Sequence, residues 1–90
     1  SLEEKKQNNL ELSIYPNPAQ NYIVFELKQK DSNLNYQIEL YNSIGALVSK
    51  HSFVNADRIN LPRESLATGV YFYKLSNGNG AVKSGKFIFE

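Results

Sequence analysis

Leu66-Ala67-Thr68-Gly69-Val70-Tyr71-Phe72-Tyr73-Lys74-Leu75 is the stretch that decides the fold. From Val70 onward it alternates, placing Tyr71, Tyr73 and Leu75 on one face and Phe72 and Lys74 on the other, as a half-buried strand does. The entry through Leu66, Gly69 and Tyr71 has the form of the tyrosine corner of Greek-key sandwiches. There the Tyr hydroxyl turns back to the backbone a few residues upstream. The alternative is that Tyr71 is an ordinary edge aromatic. Both readings bear on fold and neither on catalysis.

On either side, short runs of β-branched and aromatic residues recur every eight to twelve positions, separated by turn chemistry. Seven strands are expected: Glu11–Tyr15, Tyr22–Lys28, Asn35–Tyr41, Ala46–Phe53, Arg58–Leu61, Val70–Ser76 and Val82–Phe89. Leu12/Ile14, Ile23/Phe25/Leu27, Ile38/Leu40 and Ile59/Leu61 keep a period of two, with Ser13, Glu26, Gln37, Glu39 and Asn60 opposite. One buried side per strand is what an antiparallel sheet requires. The expected fold is therefore all-β, a seven-stranded antiparallel Ig-like, Greek-key sandwich. Its expected core is Ile14, Phe25, Ile38, Leu40, Leu47, Ile59, Tyr71 and Tyr73.

The breaks between runs are equally specific. Pro16-Asn17-Pro18 cannot continue a central strand, because neither proline has an N–H and Pro18 holds Asn17 out of the helical region. The first strand must stop there and the chain must redirect, with a crossing between sheets one way to do so. Asn42-Ser43-Ile44-Gly45 fits a type I turn closed by Gly45 at positive φ, with the Asn42 side chain accepting from the turn's own backbone. Asn77-Gly78-Asn79-Gly80 is a second hairpin signal. Any helical reading is confined to a single turn at Pro62–Leu66.

Ninety residues make one small domain, residues 11–90, preceded by a polar lead-in or linker at residues 1–10 with no apolar periodicity. A chain of this size buries only about 60–65% of the surface it exposes when unfolded. A deep substrate pocket would be hard to sustain in so small a core. There is no Cys, so packing must do the work of disulfides, and six Tyr and five Phe supply much of the buried area. The net charge of +1 gives no reason to expect nucleic acid or an anionic membrane as partner. No apolar run reaches the length of a membrane helix, and the start is not a signal peptide.

Catalysis and metal binding find no support in the spacing. His51 is the only His, and Asp57 and Ser65 are close to it in sequence without any pattern that selects them. No calcium-loop pattern and no phosphate-cradling glycine run is present, so neither a catalytic residue nor a metal or other cofactor is assigned.

Four pieces stand in a fixed order: Ile14-Tyr15-Pro16-Asn17-Pro18-Ala19, Glu39-Leu40-Tyr41-Asn42-Ser43-Ile44-Gly45, Gly69-Val70-Tyr71-Phe72 and Lys86-Phe87-Ile88. Together, over about Leu10 to Phe89, they resemble the C-terminal sorting domain of type IX secretion cargo from Bacteroidota. Asn42 stands where that family usually has Asp, and Ala46 where a basic residue is common. The Leu61-to-Leu66 connection is somewhat long, and Glu90 replaces a frequent Lys or Arg. The resemblance implies a non-enzymatic carrier role. A cargo domain would lie N-terminal to it, the outer-membrane machinery would recognise it, and a sortase-like peptidase would usually remove it, within or before residues 1–10. Export through the periplasm to the surface or medium follows by the same analogy.

On this reading Pro16, Asn17, Pro18, Asn42, Gly45, Gly69 and Tyr71 shape the fold. Lys83, Lys86, Phe87, Ile88 and Phe89 are the candidates for partner recognition, on a terminal strand suited to strand addition if it lies at an edge. The competing function is a carbohydrate-binding or fibronectin-like accessory module. Tyr15, Tyr22, Tyr36, Tyr41 and Phe72 on one sheet face would favour it, and dispersal over both sheets and the core would favour the sorting domain.

Overall fold

The computed structural model describes residues 11–28, 35–54, 56–78 and 80–90. The lead-in at residues 1–10 and the connection at 29–34 lie outside them. Seven strands form: β1 (Glu11–Tyr15), β2 (Tyr22–Lys28), β3 (Asn35–Tyr41), β4 (Leu47–Val54), β5 (Arg58–Pro62), β6 (Gly69–Asn77) and β7 (Gly80–Phe89). They pair antiparallel in two sheets, ordered β1-β2-β5 and β4-β3-β6-β7. Consecutive strands β2 and β3, β4 and β5, and β5 and β6 belong to different sheets, as in the expected sandwich.

The alternating residues face one another across the interior. Ile23, Phe25, Leu27 and Leu61 come from one sheet, and Tyr36, Ile38, Leu40, Tyr71, Leu75, Phe87 and Phe89 from the other, all buried. Leu12, Ile14, Ile59 and Tyr73 pack against this cluster at its margins, half-buried. Phe25 is central, with its ring edge-on to Tyr73 at 5.3 Å and to Phe87 at 6.3 Å. Each fully buried aromatic or aliphatic side chain contributes roughly 1.5–3 kcal/mol, so a few large rings can hold a domain without disulfides.

One expected core residue lies outside. Leu47 is 51% exposed, because Leu40 pairs with Ser49 whereas Tyr41 pairs with Leu47, leaving Val48 as an extra residue in β4. A bulge of this kind reverses the alternation beyond it. Ser49, His51 and Phe53 keep the inward phase, and Leu47 turns outward opposite Tyr41. The strand starts at Leu47 rather than Ala46, whose N–H and carbonyl are both taken by Asn42 in the turn.

The turn chemistry follows the residues closely. Asn42 Oδ1 accepts from the N–H groups of Ile44 (3.1 Å) and Ala46 (2.9 Å), Gly45 N donates to Asn42 O, and Gly45 has φ 90°. Asn77 pairs with Gly80 to close the β6–β7 hairpin. At residues 62–66 the chain forms a turn rather than helix, with Leu66 N donating to Arg63 O at 3.1 Å. The Tyr71 hydroxyl donates to Ala67 O at 2.6 Å, so the tyrosine corner is present.

Candidate functional site

The strand register brings the sequence motifs to one pole of the sandwich. Tyr41 pairs with Phe72, Gly69 with Phe89, and Tyr22 with Pro62, so the Asn42–Gly45 turn, the Gly69–Tyr71 corner and the end of β7 all lie at that end. Both X-Pro bonds in Tyr15-Pro16-Asn17-Pro18 are cis, and Ala19 behind them forms a parallel bridge to Phe89. Ala19 N donates to Ile88 O and Glu90 N donates to Ala19 O, each at 2.7 Å. Asn17 Oδ1 accepts from Ile88 N at 3.3 Å. The segment between β1 and β2 thus does reach the other sheet, where it caps the last turn of the ladder on β7.

Arg63 ties this pole together, and nothing in the sequence singled it out. Its Nε donates to Leu66 O at 2.8 Å, and Nη2 donates to Thr68 Oγ1 at 3.0 Å. Nη1 donates to both Gln20 O (2.9 Å) and Glu90 O (2.5 Å). The guanidinium also lies over the Phe89 ring, 5.1 Å from its centroid. A planar donor fork suits this task better than an ammonium would.

β7 is an edge strand, and its residues divide by face. Phe87 and Phe89 point inward and are fully buried, whereas Lys86 and Ile88 point outward and Lys83 is exposed. The outward main-chain groups of Ile88 are engaged by Asn17 and Ala19. Those of Lys86 and Ser84 share that orientation by the two-residue period, and no hydrogen bond caps them among the described residues.

The aromatics are dispersed. Tyr15 and Tyr22 lie on the outer face of the β1-β2-β5 sheet, Tyr41 and Phe72 lie on the outer face of the other, and Tyr36 is buried. Tyr15 and Tyr41 donate to Glu26 and Glu39, and each carboxylate raises the pKa of its phenol above the ordinary value. Burial does the same for Tyr73. None of the three is thereby prepared to act as a base near neutral pH. Ser49 Oγ and His51 Nε2 lie 2.6 Å apart on β4. Among the described residues no three His, Asp or Glu side chains cluster so as to hold a metal.

A family model described as the secretion system C-terminal sorting domain matches residues 13–90. The chain belongs to this sorting-domain family. Membership makes it a sorting signal for type IX secretion, acting with that machinery and directing export to the cell surface or medium. The family is not an enzymatic one, and the dispersed aromatics do not favour the sugar-binding alternative. No curated protein matches the chain. All four stretches that carry the resemblance meet at the sorting domain's motif pole, together with Arg63, which the resemblance did not include.

Proposed function

We propose that this sorting domain is a non-catalytic address read at its motif pole. The cargo would be attached ahead of β1, and a sortase-like peptidase would cut within or before residues 1–10. One observation carries the reading. Glu11 begins β1 beside Lys28, at the pole opposite to Asn17, Gly45, Gly69 and Ile88. A folded cargo joined there leaves the motif pole and the lower half of β7 unobstructed.

Within β7, Lys83, Lys86 and Ile88 supply the accessible side chains of the recognition element, and Phe87 and Phe89 anchor the strand that presents them. The uncapped main chain at Ser84 and Lys86 suits strand addition by a component of the machinery. Pro16, Asn17 and Pro18 limit the open stretch from below.

The test is a fluorescent reporter carrying a signal peptide and residues 1–90, expressed in a host with type IX secretion. Removing Lys86–Glu90 is expected to leave the reporter in the periplasm. Lys86→Ala is expected to retain the folded domain while lowering export. Equal export of both variants and the parent would contradict recognition at β7. Mass analysis of the exported reporter locates the cut, and a cut inside residues 11–90 would contradict the proposed cleavage.

A further inference from the structure

The outer face of the β4-β3-β6-β7 sheet carries more exposed apolar surface than a two-sheet core requires. The register places Lys86, Phe72, Tyr41 and Leu47 in one row across all four strands, with Ile88 and Val70 paired in the row beside it. Phe72 and Ile88 are each 42% exposed, and Ile44, at the tip of the adjoining turn, is 86% exposed. Side chains paired across strands lie about 4.5–5.5 Å apart at Cβ, so these residues form one continuous band. Isolated exposed hydrophobes are ordinary, whereas contiguous ones mark an interaction surface.

The next row, Lys74, Glu39 and Lys50, sets the electrostatics of the rim. Glu39 is already engaged, by Lys74 at 3.7 Å and by the Tyr41 hydroxyl at 2.9 Å. Lys50 and Lys86 have no ion pair among the described residues, and with Lys74 they outnumber the single Glu39, so the band is bordered by net positive charge. We infer that this band docks onto a protein surface with an apolar centre and a carboxylate-bearing rim, so that export depends on a sheet face as well as on the β7 edge. The inference rests on the reading that the machinery recognises the motif pole.

Charge complementarity selects this occupant. A second copy docking face to face about a two-fold axis would bring the Lys50 and Lys86 rims against each other. A protein partner can present acids to the lysines and apolar side chains to Phe72 and Ile88 at once.

The test uses the reporter fused to residues 1–90. Phe72→Thr with Ile88→Thr removes the centre while placing a residue of high strand propensity at each position, and Lys86→Glu reverses the rim. Lys28→Thr, on the outer face of the other sheet at the opposite pole, is the control. The double variant is expected to lose about tenfold or more of surface reporter, as when two contact anchors are truncated, with an unchanged melting temperature. Lys86→Glu is expected to lose export as well, which keeps the test decisive should the double variant unfold. Lys28→Thr is expected to export as the parent does. Parent-level export of the folded double variant overturns the docking face while leaving the sorting reading intact, and parent-level export of Lys86→Glu overturns the docking face together with recognition through Lys86. Failure of the parent fusion overturns the sorting reading and this inference with it. Self-association in sedimentation, or flotation with phosphatidylglycerol vesicles, that Phe72→Thr with Ile88→Thr abolishes would assign the band to a second copy or to lipid and overturn the protein partner.

Discussion

The guanidinium of Arg63 lies 5.1 Å from the ring centroid of Phe89 and donates to the main-chain oxygen of Glu90. Phe89 is fully buried and pairs with Gly69, so one side chain joins the turn after β5 to the last pair of the β6–β7 ladder. Arg63→Ala should therefore destabilise the domain by about 1.5–3 kcal/mol, the scale of charge-assisted hydrogen bonds. Partial exposure of the site favours the lower end. Arg63→Lys should restore only part, because an ammonium cannot span Leu66, Gln20, Thr68 and Glu90 together. Denaturation of the three proteins by urea measures this, and equal midpoints would rule out the clasp.

Tyr71→Phe removes the hydroxyl that donates to Ala67 O at 2.6 Å and leaves the ring in its stack with Phe87. A loss of about 0.5–1.5 kcal/mol is expected. Unchanged stability would mean that the corner is held by ring packing alone.

Gly85 lies opposite Tyr73, and a Cβ there would approach the phenol oxygen to 2.6 Å. The Tyr73 ring is held edge-on to Phe25, so it cannot move aside freely. Gly85→Ala should cost about 1–3 kcal/mol, the usual penalty of overpacking. Most of that cost should disappear in a Tyr73→Ala background, and a double-mutant cycle by thermal unfolding reads the coupling. Additive losses would contradict the close approach.

Leu40 and Leu47 differ by one bulge. Leu40→Ala should cost about 2–5 kcal/mol, whereas Leu47→Thr should stay within about 0.5 kcal/mol. Comparable losses would place Leu47 back in the core.

These residues also show how far the sequence can be read. Asn42, Gly45 and Tyr71 were legible because their partners lie within four residues, and the alternation in β2 and β3 placed Phe25, Ile38 and Leu40 correctly. Leu47 was not legible, because a bulge leaves no mark on a pattern that continues in phase through Ser49, His51 and Phe53. Arg63, Ala19 and Gly85 were missed for a different reason. Arg63 reaches Glu90 across 27 positions and Asn17 reaches Ile88 across 71, and local spacing carries no record of such pairings. The candidate recognition strand was proposed as a whole, and only the structure divides it by face, inward for Phe87 and Phe89 and outward for Lys86 and Ile88.

The most direct test of the account compares surface-exposed reporter with and without residues 1–90, both carrying the same signal peptide, in a host with type IX secretion. The account predicts that the fused reporter reaches the surface or medium and that the unfused one stays in the periplasm. Equal export of the two would contradict it.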